Sequence, residues 1–380
     1  MLPPSKLPHV GTTIFTVMSA LAQEHGAINL SQGFPNFPSS EKLNSLVYEA
    51  MRQGHNQYAP MGGVPLLREA IARKIARIMG VEVDPEKEIT ITAGATQALF
   101  TAIATLIHPG DEVILLEPAF DCYGPAIEVC GGRIIPYALQ APDFRPDWEA
   151  ISQLVTPHTR MIVINTPHNP TGTTLKTGDL EALEKLAEST GIWVLSDEVY
   201  EHLIYDGAVH QSVLRYPKLR ARSFAVFSFG KTFHNTGWKI GYCIAPPELT
   251  AEFRKVHQFN VFSVNTPMQY GLAAFLNDPE EYLSLSAFYQ EKRDFFLTAI
   301  AGSRLQPLVC EGTYFQLVDY GAVSDEQDTE FVKRMVVEHG VAAIPISVFG
   351  GAKSDQRIIR LCFAKTEETL TKAAALLVHL

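Results

Sequence analysis

Residues 160–197 read RMIVINTPHNPTGTTLKTGDLEALEKLAESTGIWVLSD, and this stretch decides the fold. It opens with an apolar, β-branched run (RMIVIN, 160–165) and closes with a second one (IWVLSD, 192–197). Between them DLEALEKLAEST (179–190) spaces its leucines and alanines at helical intervals. Continuous apolar strands joined by an amphipathic helix are the signature of a parallel sheet covered on both faces. Both runs end in polar residues, Asn165 and Asp197. In open α/β sheets, strand carboxyl ends are where ligands bind.

The same alternation extends outward. Strand-like runs stand at EITIT (88–92), EVILL (112–116) and RIIPYAL (133–139) upstream, and at SFAVFSF (223–229) and KIGYCIA (239–245) downstream. TQALFTAIATLI (96–107) is a further helical pattern. The chain is therefore expected to be α/β, with a mostly parallel seven-stranded sheet. About ten residues separate the last two runs, too few for a crossover helix, which predicts an antiparallel turn at that end. After residue 280 the pattern changes to one long helix (EEYLSLSAFYQEKRDFFLTAIA, 280–301) and two strands, TYFQLVD (313–319) and RIIRLCFA (357–364). We expect a large domain over residues 41–279. A smaller α+β domain combines residues 280–380 with the Pro- and Gly-rich residues 1–40, and a ligand cleft lies between the two.

Composition narrows the partners. The 380 residues are 46% hydrophobic and 19% charged, as in a packed globular protein, and carry a formal net charge of −10. That charge disfavours nucleic acid or an anionic membrane surface. No run approaches the length of a membrane span, and MLPPSKLPHVG has no signal or transit pattern. Cys122, Cys130, Cys243, Cys310 and Cys362 are widely spaced without a C-x-x-C pair, which reads as reduced thiols in the cytoplasm.

Several strand ends carry chemistry. Ala93-Gly94-Ala95-Thr96 is a glycine turn opening a helix, either a phosphate cradle of free N–H groups or a simple cap. Asn165-Thr166-Pro167-His168-Asn169-Pro170-Thr171-Gly172 is a rigid loop. In Ser196-Asp197-Glu198-Val199-Tyr200, an acid closing a buried strand needs a cationic partner, such as a protonated pyridine nitrogen, unless it only caps a helix. Ser228-Phe229-Gly230-Lys231-Thr232 places a lysine at the mouth of the sheet, with Lys239 eight residues on. A neighbouring positive charge and partial burial would lower its pKa and free its amine to condense with an aldehyde. Arg360, inside an apolar strand, suits a carboxylate held bidentately, whether from a ligand or from the protein.

In order and spacing, N-P-T-G (169–172), S-D-E-V-Y (196–200), S-F-G-K-T-F (228–233), G-W-K-x-G (237–241) and R-L-C-F (360–363) resemble the class I/II, fold-type I aminotransferases over essentially the whole chain. The segments SQGFPNF (31–37), NQY (56–58) and EPAFDCY (117–123) are most similar to the kynurenine/glutamine transaminase and bacterial methionine aminotransferase branch. The resemblance implies an aspartate aminotransferase-like fold, pyridoxal 5'-phosphate as cofactor, no metal, and ping-pong transfer of an amino group from an L-amino acid to a 2-oxo acid. Lys231 would bind the cofactor aldehyde covalently and then shuttle the substrate proton. Asp197 would pair with the ring nitrogen, Asn169 and Tyr200 would bond the phenolic oxygen, and Phe120 would stack on the ring. Ala95, Thr96, Ser228 and Lys239 would hold the phosphate, joined by Tyr58 from the neighbouring subunit of a homodimer. Arg360, Asn169 and the Gly33 backbone would grip the substrate carboxylate. Phe15, Tyr58, Tyr123 and Phe262 imply an aromatic-lined pocket for methionine, aromatic or similar side chains. Two departures, Ile14-Phe15 in place of a tryptophan and Ser263 in place of a histidine, argue against a strict kynurenine preference.

Rival readings fail on the residues their mechanisms need. A P-loop ending at Lys231 requires glycine where Ala225 stands, and a nucleophile elbow at Ser228 requires glycine where Val226 stands. A regulator built on this fold would need a basic DNA-binding segment, and the sequence has none. A carbon–sulfur β-lyase using the same lysine is the alternative, since protonation and elimination differ only in geometry over the ring.

Overall fold

A computed structural model describes residues 3–350 and 356–380. Its centre is a seven-stranded sheet of β1 (Ile89–Thr92), β2 (Glu112–Glu117), β3 (Arg133–Ala138), β4 (Thr159–Asn165), β5 (Trp193–Asp197), β6 (Ser223–Ser228) and β7 (Gly241–Ile244). The strand order is β1-β7-β6-β5-β4-β2-β3. The pairs β6/β5, β5/β4, β4/β2 and β2/β3 are parallel, while β7 runs antiparallel to both β6 and β1. This is the mostly parallel seven-stranded α/β sheet that the strand–helix alternation anticipates, and it is the kind of sheet the resemblance implies.

Two features differ from the sequence reading. The reversed strand is not at an edge but is inserted between β6 and β1. Its connection from β6 also holds a one-turn helix, Phe229–Thr232, and a 3-10 turn, Thr236–Trp238. The reversal matters for the site. Gly241 pairs with both Ser228 and Thr92, so the start of β7 meets the ends of β6 and β1 at one edge of the sheet. The second difference is β3, which is half exposed instead of buried. It is an edge strand, where Pro136 costs no ladder bond.

A four-stranded antiparallel sheet forms nearby from β8 (Gln306–Pro307), β9 (Phe315–Asp319), β10 (Ile344–Pro345) and β11 (Ile358–Cys362), in the order β10-β11-β9-β8. Ile28–Asn29 pairs in parallel with Val341–Ala342, tying the amino-terminal segment to the carboxyl-terminal region. Of the residues expected to form the smaller domain, 1, 2 and 351–355 lie outside the described residues. The expected long helix is split at Ser284 into Glu280–Leu283 and Leu285–Ile300. Ser284 Oγ donates to the Glu280 carbonyl at 2.7 Å, a side-chain bond that competes with the helical ladder.

Both faces of the large sheet are packed with aliphatic and aromatic side chains. The polar strand ends are thereby held at fixed spacing above an apolar base. No helix among the described residues is long and apolar enough to cross a membrane.

Candidate active site

A cavity of about 260 Å³ opens over the carboxyl ends of β1, β4, β5 and β6. It is walled by Phe15 and Gly33 from the amino-terminal segment, by Phe120, and by Phe315 and Arg360 from β9 and β11. Of the residues anticipated from sequence, Ala95, Thr96, Phe120, Asn169, Asp197, Tyr200, Ser228, Lys231, Lys239 and Arg360 all line it, together with Gly33 and Phe15.

One end of the cavity is a cluster of hydrogen-bond donors. Gly94 opens the helix Gly94–Leu106, so the first N–H groups of that helix, beside Ala95 and Thr96, lack intrahelical partners. Ser228 closes β6 and Lys239 precedes β7, and the reversed strand carries both to this end. Gly94 sits at φ +76°, and a Cβ there would lie 3.2 Å from Lys239 Cε. Glycine lets the backbone turn and the lysine come this close. The donor set suits a dianionic phosphate.

The floor carries Asp197, buried at the end of β5. Its Oδ2 accepts from the Tyr123 hydroxyl at 2.6 Å and its Oδ1 from the Val199 amide at 3.3 Å. Burial raises its carboxyl to about 6, while these bonds pull it down. Asn165 braces the same edge. Its Nδ2 donates to the Asp197 carbonyl at 2.8 Å, and its Oδ1 accepts from the Asn169 amide at 2.7 Å. Lys231 Nζ donates to the Tyr314 hydroxyl at 2.8 Å and to the Gly33 carbonyl at 3.1 Å. Burial lowers its amine to about 8, with the positive charges of Arg360 and Lys239 acting in the same sense and Asp197 opposing. Tyr200 is buried, which raises its phenol.

Arg360, 1% exposed, crosses the far wall. Nη1 donates to Asn169 Oδ1 at 2.6 Å, Nη2 donates to the Ser31 carbonyl at 3.1 Å, and Nε has no partner among the described residues. The guanidinium carbon lies 3.8 Å from the centroid of the Phe315 ring. Burial lowers it to about 10, and no carboxylate among the described residues is bonded to it. The Gly33 segment is lashed alongside. Lys365 Nζ donates to the Phe34 carbonyl at 2.8 Å, and a Cβ on Gly33 would come within 2.8 Å of Phe315 Cζ.

Three anticipated pocket residues stand elsewhere. Tyr123 is not in the cavity wall but behind Asp197, because its hydroxyl is bonded to that carboxylate. Tyr58 and Phe262 also lie off this chain's cavity, paired edge to face at 5.2 Å, and are 80% and 45% exposed. The sequence reading missed Gln32, Leu99, Val199, Thr236, Ile240 and Phe315, which complete the lining.

Comparison with known proteins identifies the family. The family model for aminotransferase class I and II matches residues 25–377. The methionine aminotransferase of Escherichia coli K12 is 53% identical over 375 residues, spanning 98% of this chain and 97% of its own. Human kynurenine–oxoglutarate transaminase 1 is 33% identical over 385 residues, spanning 92% of this chain and 91% of its own. Among solved structures, an Escherichia coli protein identified as a methionine aminotransferase superposes with a TM-score of 0.98 at 53% identity, covering both chains fully. Aspartate aminotransferase of Thermus thermophilus with maleate superposes at 0.90, with 30% identity and full coverage of both chains.

Proposed function

The chain belongs to the class I and II aminotransferases, enzymes dependent on pyridoxal 5'-phosphate, and from that premise we propose that it moves the amino group of L-methionine, aromatic L-amino acids or similar donors to a 2-oxo acid by a ping-pong mechanism. The observation that carries the substrate reading is the cavity wall. Arg360 offers a buried guanidinium with an unpartnered Nε, while Phe15, Phe120 and Phe315 make the surroundings apolar. One cationic group beside apolar walls fits an α-carboxylate with an uncharged side chain.

The residues present fit the cofactor: a donor cluster for its phosphate, a buried acid, and a lysine whose amine is lowered into the range of neutral pH. When bound, pyridoxal phosphate supplies an aldehyde that condenses with amines and a ring that withdraws electrons from the substrate Cα. Ala95, Thr96, Ser228 and Lys239 would hold the phosphate. Asp197, braced by Tyr123, would pair with the ring nitrogen. Asn169 and Tyr200 would bond the phenolic oxygen, and Phe120 would pack against the ring. Lys231 would be the base that accepts the Cα proton. Arg360 and the Gly33 backbone fix the carboxylate, so that the Cα–H bond stands in one orientation.

The reading includes a homodimer. Tyr58 and Phe262, exposed on one chain, would complete the neighbouring subunit's site, and Phe259, 91% exposed, would be covered at the same contact. It also includes the division into a large domain, 41–279, and a small one, 1–40 with 280–380. Cytoplasmic residence is supported by five free cysteines.

The test is a panel of L-amino acids with a shared 2-oxo acid acceptor. Methionine and the aromatic amino acids should exceed aspartate and glutamate in kcat/KM at least tenfold, a gap on the order of 1.4 kcal/mol. A preference for the dicarboxylic donors would overturn the substrate class. Pyruvate released from S-substituted cysteines faster than transamination would replace it with β-elimination.

A further inference from the structure

Behind Lys231 stands a side chain that none of the roles above uses. Tyr314, fully buried just before β9, donates its hydroxyl to the Gly33 carbonyl at 2.6 Å and accepts from Lys231 Nζ at 2.8 Å. Lys231 Nζ also reaches the same Gly33 carbonyl, at 3.1 Å. A phenol has one proton, and here that proton is committed to a carbonyl. The oxygen therefore faces the lysine with lone pairs only, as an acceptor. Aromatic faces close the sides, since Nζ lies 5.4 Å from the Tyr314 centroid and 5.7 Å from that of Tyr200. Those two rings meet edge to face at 5.2 Å, and Tyr314 is further wedged by Phe315 and Tyr289.

We propose that Tyr314 and the Gly33 carbonyl are the dock for the Lys231 amine whenever that amine is free of the cofactor, making Tyr314 a positioning residue for proton transfer. This rests on the reading of Lys231 as the cofactor-bound lysine. With the cofactor bound, an incoming amino acid would displace Lys231 as a free amine. That amine would then have to accept the proton from Cα and hand it on. An amine on a four-carbon stem has many rotamers, most of them unproductive. Two fixed acceptors confine Nζ to a short arc and leave its lone pair available to the substrate. The dock also links the lysine to the segment proposed to hold the substrate carboxylate, because the same residue, Gly33, serves both.

The experiment is the holoenzyme Tyr314→Phe, with L-methionine and its α-deuterated form. The variant should keep cofactor stoichiometry and its visible band. Its kcat should fall about tenfold with KM within about twofold, and the deuterium isotope effect should rise, because proton transfer becomes more limiting. Wild-type kcat and isotope effect with a normal band would overturn the dock while leaving the role of Lys231 intact. Lys231→Ala, assayed beside it, reports separately on the parent reading: substantial turnover there would sink that reading itself. A crystal structure of the wild-type enzyme converted by L-methionine to the amino form of the cofactor provides a check that needs no variant. Nζ should lie within about 3.2 Å of the Tyr314 hydroxyl and the Gly33 carbonyl. A lysine turned away from both would reject the proposal.

Discussion

Tyr123 supports Asp197 from behind: its hydroxyl, at the start of the helix Tyr123–Val129, donates to the carboxylate at 2.6 Å, and both side chains are buried. The folded protein thus holds a carboxylate that no basic side chain among the described residues bonds, and burial raises its pKa from 3.8 to about 6. The folded state binds this proton more tightly than the unfolded chain does. On Asp197's account, stability is therefore greatest below 3.8 and falls as pH rises towards 6. In cofactor-free protein at neutral pH, Asp197→Asn should leave stability unchanged or raise it, by up to about 3 kcal/mol, read by chemical denaturation. The same variant should bind pyridoxal phosphate more weakly. A clear loss of stability would show that the carboxylate serves the fold and not the cofactor.

Arg360 is held by Asn169 and the Ser31 carbonyl with Nε left over. If it reads the carboxylate common to all substrates, Arg360→Ala should lower kcat/KM by about 10- to 100-fold for every amino acid alike. A loss confined to one side-chain class would place it in the specificity pocket.

Gly94 combines a left-handed backbone with close approach to Lys239. Gly94→Ala should weaken cofactor binding about tenfold, with activity recovered at high pyridoxal phosphate, since the strain falls on the donor cluster. Equilibrium titration of the cofactor-free variant measures it. Unchanged affinity would place the phosphate elsewhere.

The proposed homodimer makes a stoichiometric prediction. Lys231→Ala and Tyr58→Ala are each expected to be impaired. In a random mixture, half the dimers would be hybrids, each with one site drawing an intact Lys231 from one subunit and an intact Tyr58 from the other. Unfolding and refolding the two variants together should restore about a quarter of wild-type activity. No recovery, with hybrids shown to form, would assign Tyr58 to its own chain.

The sequence showed what is local. A strand ending in Asn165, Asp197 or Ser228 declares its polar tip because the apolar run before it stops there. Seven such runs sufficed for the large sheet. What it concealed depends on pairing between distant segments. Phe315 becomes a wall of the cavity only because β9 pairs with β11, opposing Phe315 to Cys362 and bringing its ring beneath Arg360. Tyr314 reaches Lys231 across 83 residues of chain. The reversed β7 announced its direction through its short connection, but its place between β6 and β1 is a matter of sheet order, which no local spacing encodes. Tyr123 read as a pocket aromatic through the resemblance; one buried hydrogen bond redirects it to Asp197.

The central claim is that Lys231 carries a cofactor which accepts and returns an amino group. The most direct measurement is the absorbance spectrum of the purified protein with pyridoxal phosphate, before and after L-methionine, and again after a 2-oxo acid. The account predicts a visible band that disappears with the amino acid in favour of near-ultraviolet absorbance and returns with the oxo acid. A band untouched by amino acids, or none after incubation with the cofactor, would contradict it.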